Sequence, residues 1–62
     1  MIIEFVITFV CLNKGVQSVD KSKLLVDSYE AVRQVKELAI KNNPKCDISI
    51  DITKIDENAN EN

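Results

Sequence analysis

The sequence has no histidine and no tryptophan, a single glycine, a single proline and only two cysteines among its 62 residues. Without histidine, the commonest general base and the usual partner of a catalytic nucleophile are missing. Cys11 and Cys46 lie thirty-five positions apart and form no zinc-ligand pattern. Gly15 alone cannot build a phosphate-binding loop, which needs several glycines before a helix. We therefore expect no enzyme, no catalytic residue, no cofactor and no metal.

A concentrated basic patch is also missing. The chain carries eight basic and ten acidic residues, a net charge of −2. Because phosphate contacts dominate the affinity for nucleic acids, a protein that binds them usually has clustered Lys and Arg side chains. Lys21 and Lys23, with the loop before them, are the candidates for such contacts. Direct nucleic-acid binding is therefore the least favoured of our binding hypotheses.

No apolar run reaches the roughly 20 residues that a membrane-spanning helix needs. The longest run, residues 1–12, contains Glu4 and lacks the basic flank of a secretory signal. We expect it to be retained in a folded cytoplasmic protein. Eight Ile, seven Lys and six Asn residues suggest an A/T-rich genome and, by association, a phage or another mobile element.

Residues 1–12 alternate in the manner of a β-strand. One set of alternate positions is wholly apolar and the other is mixed. A period of two with many β-branched and aromatic residues predicts a strand, and one fully apolar face beside a partly apolar one predicts a central strand. The wholly apolar set is Ile3, Phe5, Ile7, Phe9 and Cys11.

The segment that follows has two interpretations. Asn13-Lys14-Gly15 predicts a turn. The apolar group Leu24-Leu25-Val26 indicates either a second strand, roughly residues 22–26, or the opening of a long helix that begins after Ser18. We favour the strand, because Asp27-Ser28-Tyr29-Glu30 is a D-x-x-E capping box and predicts a helix start at Asp27.

A helix is predicted over residues 28–42. At 100° per residue its apolar side chains form one stripe, and Pro44 prevents the helix from continuing. The predicted stripe is Ala31, Val32, Val35, Leu38 and Ala39.

Residues 46–54 alternate again, with Cys46, Ile48, Ile50 and Ile52 on one face. The other face is polar and acidic, which predicts an edge strand protected from unwanted pairing. Residues 56–62 are polar and acidic, which predicts a disordered tail after a single domain of residues 1–55.

These elements predict an α+β fold of the β-β-α-β type, with a three-stranded antiparallel or mixed sheet in the order 2-1-3 and the helix on one face. A right-handed crossover joins the second and third strands, and the most apolar strand lies between them. Alignment of the apolar faces pairs Phe9 with Ile48 and places Cys11 opposite Cys46, with Cα atoms about 4.5–5.5 Å apart. Neighbouring thiols in the cytoplasm are usually reduced, and we expect that state here.

One helix covers only one face of a sheet, so the second face should expose an apolar patch. Such patches usually mark an interface. We expect two copies to pack through this face as a homodimer or a higher symmetric oligomer. The alternative is a monomer in which Glu4, Thr8 and the second-strand lysines interrupt the patch. The predicted self-association residues are Ile2, Val6, Val10 and Leu25.

Two other groups are candidates for binding a protein partner. Tyr29, Arg33 and Ile40 share a helix flank and have the composition of an interaction hot spot, although Tyr29 could simply pack over the sheet edge. Asp47 and Asp51 share the outer face of the last strand. The sequence thus predicts a small, non-enzymatic, homo-oligomeric protein-interaction module. The alternative is an acidic inhibitor that mimics nucleic acid and blocks a nucleic-acid-binding protein.

Overall fold

The computed structural model describes residues 1–58 and contains three strands and one helix. The elements are β1 (Ile2–Asn13), β2 (Val16–Val26), α1 (Tyr29–Asn42) and β3 (Cys46–Asp56). The sheet has the order β2-β1-β3, and β1 pairs antiparallel with both neighbours. The predicted α+β architecture and the strand order are confirmed.

The central strand pairs with β3 in the predicted register. Phe5 lies opposite Ile52, Ile7 opposite Ile50 and Phe9 opposite Ile48. Between Glu4 and Phe5 the register shifts at a β-bulge, and β3 continues beyond its predicted end at Lys54. This register aligns the apolar faces of β1 and β3, because side chains at alternate positions of paired strands share one side of the sheet.

The second strand is longer than the sequence predicts. It covers Val16–Val26 instead of roughly residues 22–26, and the interpretation as a long helix is wrong. Lys14 and Gly15 both have positive φ angles, 53° and 78°, as a two-residue hairpin turn requires. The turn pairs Val16 with Asn13, and pairing with β1 continues from there to Val26. The mostly polar residues at the start of β2 therefore form a strand because β1 supplies their backbone hydrogen bonds.

The core lies between β1 and the helix. Ile3, Phe5 and Ile7 are buried on the side of β1 that faces α1, and Val32 is the buried residue of the helix. Val35 and Ala39 pack against this cluster. Their positions place the centre of the apolar stripe near Val32, Val35 and Ala39.

Leu38 does not belong to the core, contrary to the predicted stripe. Its side chain is 58% exposed. Because successive helical residues are separated by about 100°, Leu38 lies well to one side of the line through Val32, Val35 and Ala39. The narrow sheet leaves that flank of the helix uncovered.

Ser28, and not Asp27, caps the helix. The Ser28 Oγ atom accepts a hydrogen bond of 3.1 Å from the Ala31 backbone N–H, and Ser28 has extended backbone angles. The helix therefore begins at Tyr29, and Asp27 lies outside the N-cap position. The predicted D-x-x-E box does not form, because Ala31 is the third helical residue after Ser28 and the Glu30 carboxylate pairs with Arg33. Ser and Asp are about equally good N-caps, and the connection from β2 decides between them.

We expect Ser28→Ala to lower the free energy of unfolding by about 1 kcal/mol, because the Ala31 N–H loses its partner. Asp27→Ala is the matched control and should change stability by less than about 0.5 kcal/mol. Urea unfolding followed by circular dichroism measures both. A larger loss for Asp27→Ala than for Ser28→Ala would contradict the assignment of the cap.

The first part of the predicted tail, residues 56–58, lies within the described residues. Asp56 is the last residue of β3, and Glu57 and Asn58 form a turn in which the Asn58 N–H donates to Asp56 Oδ1 over 3.1 Å. The domain boundary at residue 55 therefore falls inside a strand. The rest of the predicted tail, residues 59–62, lies outside the described residues.

Candidate functional site

The side of the sheet opposite α1 is the candidate site, and we call it the open face. Strand pairing assigns its members, because residues that pair across strands share a side. No helix or strand of residues 1–58 lies over it. Its central row is Ile2, Glu4, Val6, Thr8, Val10 and Leu12; the β2 row is Gln17, Val19, Lys21, Lys23 and Leu25; the β3 row is Asp47, Ser49, Asp51, Lys54 and Asp56.

The residues predicted for self-association all lie on this face. Leu25 pairs with Glu4 and is 64% exposed. The other three, Ile2, Val6 and Val10, belong to β1 and are half-buried between their neighbouring strands. The structure thus brings these four residues onto one surface.

Two further apolar residues of the open face were missed by the sequence reasoning. Leu12 and Val19 are 62% and 57% exposed. Val19 pairs with Val10, so an apolar group forms at the hairpin end of the sheet. The sequence contains a pattern that could have revealed Val19. Val19 and Leu25 are separated by an even number of positions, so both lie on one face if the second strand extends back to Val16.

The open face has a depression at each end. The one at the hairpin end has a volume of about 390 Å³ and is lined in part by Val10, Leu12, Gln17 and Asp47. The one at the opposite end is smaller. A depression of about 240 Å³ is lined by Ile2, Glu4, Leu25, Lys54 and Asp56. Small-molecule sites usually have about 300–1,000 Å³ and enclose most of the ligand. Both depressions are wide open to solvent and would enclose little of a small ligand. A surface of this kind, with apolar groups at both ends, is better suited to contact with another macromolecule.

Charge is divided across the open face. Lys21 and Lys23 are exposed on β2, while Asp47 and Asp51 are exposed on β3. The central strand separates the two rows by about 10 Å, twice the usual spacing of neighbouring strands. Within residues 1–58, none of the four side chains belongs to an ion pair within 4.0 Å. Between the positions of Val6 and Val10 the face therefore has one basic edge and one acidic edge. Further along the acidic edge, Lys54 and Asp56 add charges of both signs.

Glu4 is held by the bulge in β3. The Thr53 hydroxyl donates to Glu4 Oε2 over 2.8 Å and contacts the Glu4 carbonyl oxygen at 3.2 Å. Thr53 is the extra residue of the bulge, since Glu4 pairs with Lys54 and Phe5 with Ile52. This contact draws the Glu4 carboxylate toward β3 and away from the centre of the open face.

The second group of predicted partner-binding residues lies on the outside of α1. Tyr29 and Ile40 are 54% and 49% exposed, so Tyr29 is not packed down over the sheet edge. Arg33 is exposed and forms an ion pair with Glu30, one helical turn earlier. The three side chains share one flank of the helix, and they are separate from the open face.

Cys11 and Cys46 form a disulfide, so the expectation of reduced thiols is wrong. Their Cα atoms are 4.1 Å apart, slightly closer than predicted, and they are directly paired across β1 and β3. The register points both side chains to the same side of the sheet, which brings the sulfur atoms within bonding distance. The prediction that the two cysteines are cross-strand neighbours is confirmed. The reduced state was expected because a cytoplasmic location was assumed, and the strand geometry did not enter that expectation.

Other kinds of site receive no support from the described part of the chain. Residues 1–58 contain no group of three or more His, Cys, Asp or Glu side chains placed to hold a metal ion. Over the same residues, no helix combines the length and the apolar composition needed to cross a membrane. Comparison of the chain with protein-family models, with curated proteins and with solved structures found no match.

Proposed function

We propose that this protein is a non-enzymatic interaction module that self-associates through the open face and binds a further protein. The observation that carries the proposal is the uncovered apolar surface of the sheet. Apolar side chains occupy both ends of the open face, and Val6 lies between them. Apolar surface that no other element covers commonly marks a protein interface.

The size of the domain supports the same proposal. A chain of 62 residues buries only about 60% of the surface that its unfolded form exposes. The fully or nearly fully buried core among the described residues is small, with Ile3, Phe5, Ile7 and Val32. Domains of this size gain stability from disulfides and from oligomerisation. A second copy would bury the face of β1 that the helix leaves exposed.

The helix flank is the proposed surface for a different protein. Tyr29, Arg33 and Ile40 lie on the opposite side of the molecule from the open face, so they stay accessible after two copies pack sheet to sheet. Tyr and Arg are enriched among the residues that dominate binding energy at interfaces.

The acidic-mimic alternative rests on Asp47 and Asp51, which are exposed on one face of an edge strand. A nucleic-acid mimic needs a surface of one sign, because its target binds phosphates through clustered cations. Lys21 and Lys23 lie on the same face as the two aspartates. This mixture of charges favours self-association over mimicry.

We propose the cytoplasm as the location, and this has a consequence for the disulfide. Disulfides persist in oxidising compartments and are rare in the cytosol. Cytoplasmic protein should therefore contain a reduced fraction of Cys11 and Cys46. Rapid alkylation with a maleimide reagent in cells measures that fraction, and complete absence of reduced protein would place the chain in an oxidising compartment.

The test of self-association is the variant Val6→Lys. Val6 lies in the middle of the open face, between Lys23 and Asp51, and a lysine there would have to lose its hydration when the dimer forms. We expect the wild type to sediment as a species about twice the 7.0 kDa of one chain, and the variant to raise the dissociation constant at least about 10-fold, because burial of a charged group is costly.

Leu38→Lys is the matched control, because Leu38 is exposed on the helix and away from the open face. It should leave the sedimentation behaviour unchanged, and circular dichroism should show that both variants are folded. A wild type that stays at 7.0 kDa at micromolar concentration, or a Val6→Lys variant that associates as tightly as the wild type, would overturn the proposal.

A further inference from the structure

We infer that the second copy docks with its β1 parallel to the first, about a twofold axis that runs along β1 between the two sheets. In this arrangement Lys21 and Lys23 of each copy lie over the Asp47–Asp51 edge of the other. The inference rests on the proposed self-association and names its geometry. It follows from the positions of the four charged residues along the sheet. We call the β1 residue with which each of them pairs, or beside which it lies, its level.

Strand pairing gives those levels directly. Val6 pairs with Lys23 on one side and with Asp51 on the other. Thr8, two residues along, pairs with Lys21 and Ser49. Asp47 pairs with Val10 at the next level. The basic and acidic rows therefore occupy the same stretch of β1, on opposite sides of it.

A twofold axis parallel to the strands preserves the level of each residue and exchanges the two edges of the sheet. The β2 strand of one copy then lies over the β3 strand of the other. Lys23 meets Asp51 at the same level, and Lys21 lies above Ser49, between Asp47 and Asp51. The symmetry repeats these contacts, so both charged edges of both copies obtain counter-charges.

The other aligned arrangement has a twofold axis in the plane of the face but perpendicular to the strands. It would place β2 over β2 and β3 over β3. Lysines would then face lysines and aspartates would face aspartates, and like charges across an interface are strongly unfavourable. The division of charge across the open face thus selects the parallel arrangement.

The distances are suitable for these contacts. Packed sheets are about 10 Å apart, which an extended lysine on one sheet and an aspartate on the other can together span. The parallel arrangement also brings the two copies of Glu4 toward the axis. The hydrogen bond from Thr53 directs the Glu4 carboxylate toward β3, and the usual angle of about 30° between aligned sheets separates the two further.

The decisive experiment compares three proteins by sedimentation equilibrium at low and high salt. The first variant, Lys21→Glu/Lys23→Glu, makes both edges acidic. The second adds Asp47→Lys and Asp51→Lys, which exchanges the two edges and restores the wild-type net charge of −2. All four positions are exposed, and circular dichroism confirms that each protein is folded.

We expect the first variant to raise the dissociation constant by at least about 30-fold at low salt, because acidic edges would face each other. The second variant should return to within about threefold of the wild type, since each edge again meets its opposite. High salt should reduce the difference between the proteins. A dimeric wild type together with an unweakened first variant would overturn the inference and leave self-association intact. A monomeric wild type would overturn both.

The pairing of levels has its own test. In the parallel arrangement Lys23 lies over Asp51 and not over Asp47. Starting from Lys23→Glu, the added change Asp51→Lys should restore dimerisation at least about threefold better than Asp47→Lys. Equal rescue by the two changes, or better rescue by Asp47→Lys, would contradict the aligned geometry.

Discussion

Phe5→Ala is expected to lower the free energy of unfolding by about 3–5 kcal/mol, the usual cost of removing a buried aromatic side chain and leaving a cavity. Phe5 is fully buried on the central strand, between neighbours on both sides and beneath the helix. A domain of this length has a total stability of only about 3–9 kcal/mol. Much of the variant should therefore be unfolded at room temperature, as a urea titration followed by circular dichroism will measure.

Leu38→Ala is the control for this prediction. The helical periodicity of the sequence places Leu38 in the apolar stripe, yet the structure leaves it 58% exposed. We expect a change in unfolding free energy of less than about 0.5 kcal/mol. If Leu38→Ala proves as destabilising as Phe5→Ala, the helix is rotated about its axis relative to the structure described above.

Loss of the Cys11–Cys46 disulfide is expected to cost about 4 kcal/mol. The bond joins residues thirty-five positions apart, and the restriction of the unfolded chain by a loop of that length accounts for a figure of this size. The double variant Cys11→Ala/Cys46→Ala removes the bond and keeps two small side chains on the helix-facing side of the sheet. The midpoint of urea unfolding should fall accordingly.

A thiol reductant separates the effect of the bond from that of the substitutions. It should destabilise the wild type by about as much as the double variant and leave the double variant itself unaffected. A wild type with the same unfolding midpoint in the presence and absence of reductant, after alkylation has verified reduction, would show that the bond does not restrain the unfolded chain appreciably.

Both effects bear on the proposed self-association. The core is confined to one side of β1, and a bond between β1 and β3 supplies a second restraint. Neither the core nor the disulfide covers the apolar residues of the open face. If the proposed dimer forms, a variant weakened by Phe5→Ala or by loss of the disulfide should gain stability with protein concentration, because a dimer stabilises its folded subunits by mass action.

Strand order and the register between β1 and β3 could be predicted because one local pattern encodes them. The alternation at Ile3, Phe5, Ile7 and Phe9 predicts burial on one face of the strand. The apolar residues on its other face are better shielded when a strand lies on each side, which predicts a central position. Matching that side to Ile48 and Ile50 leaves little freedom, since a slip of one residue would expose every apolar side chain.

The extent of β2 and the position of the helix start could not be predicted in the same way. Residues from Val16 to Lys21 have a weak pattern, and they form a strand because β1 supplies backbone hydrogen bonds along their whole length. Ser28 and Asp27 are comparable N-caps, so the direction in which the chain leaves Val26 decides which of them accepts the Ala31 N–H.

The residues by themselves therefore determined an apolar central strand, one amphipathic helix and the partly apolar second face of the sheet. Their physical basis is the burial of alternate side chains, which depends on near neighbours in sequence. The tertiary structure alone decided that Leu38 is exposed, that Leu12 and Val19 extend the open face, and that the two cysteines are bonded. Each of these depends on how far one element reaches along or over another, and no local periodicity encodes that distance.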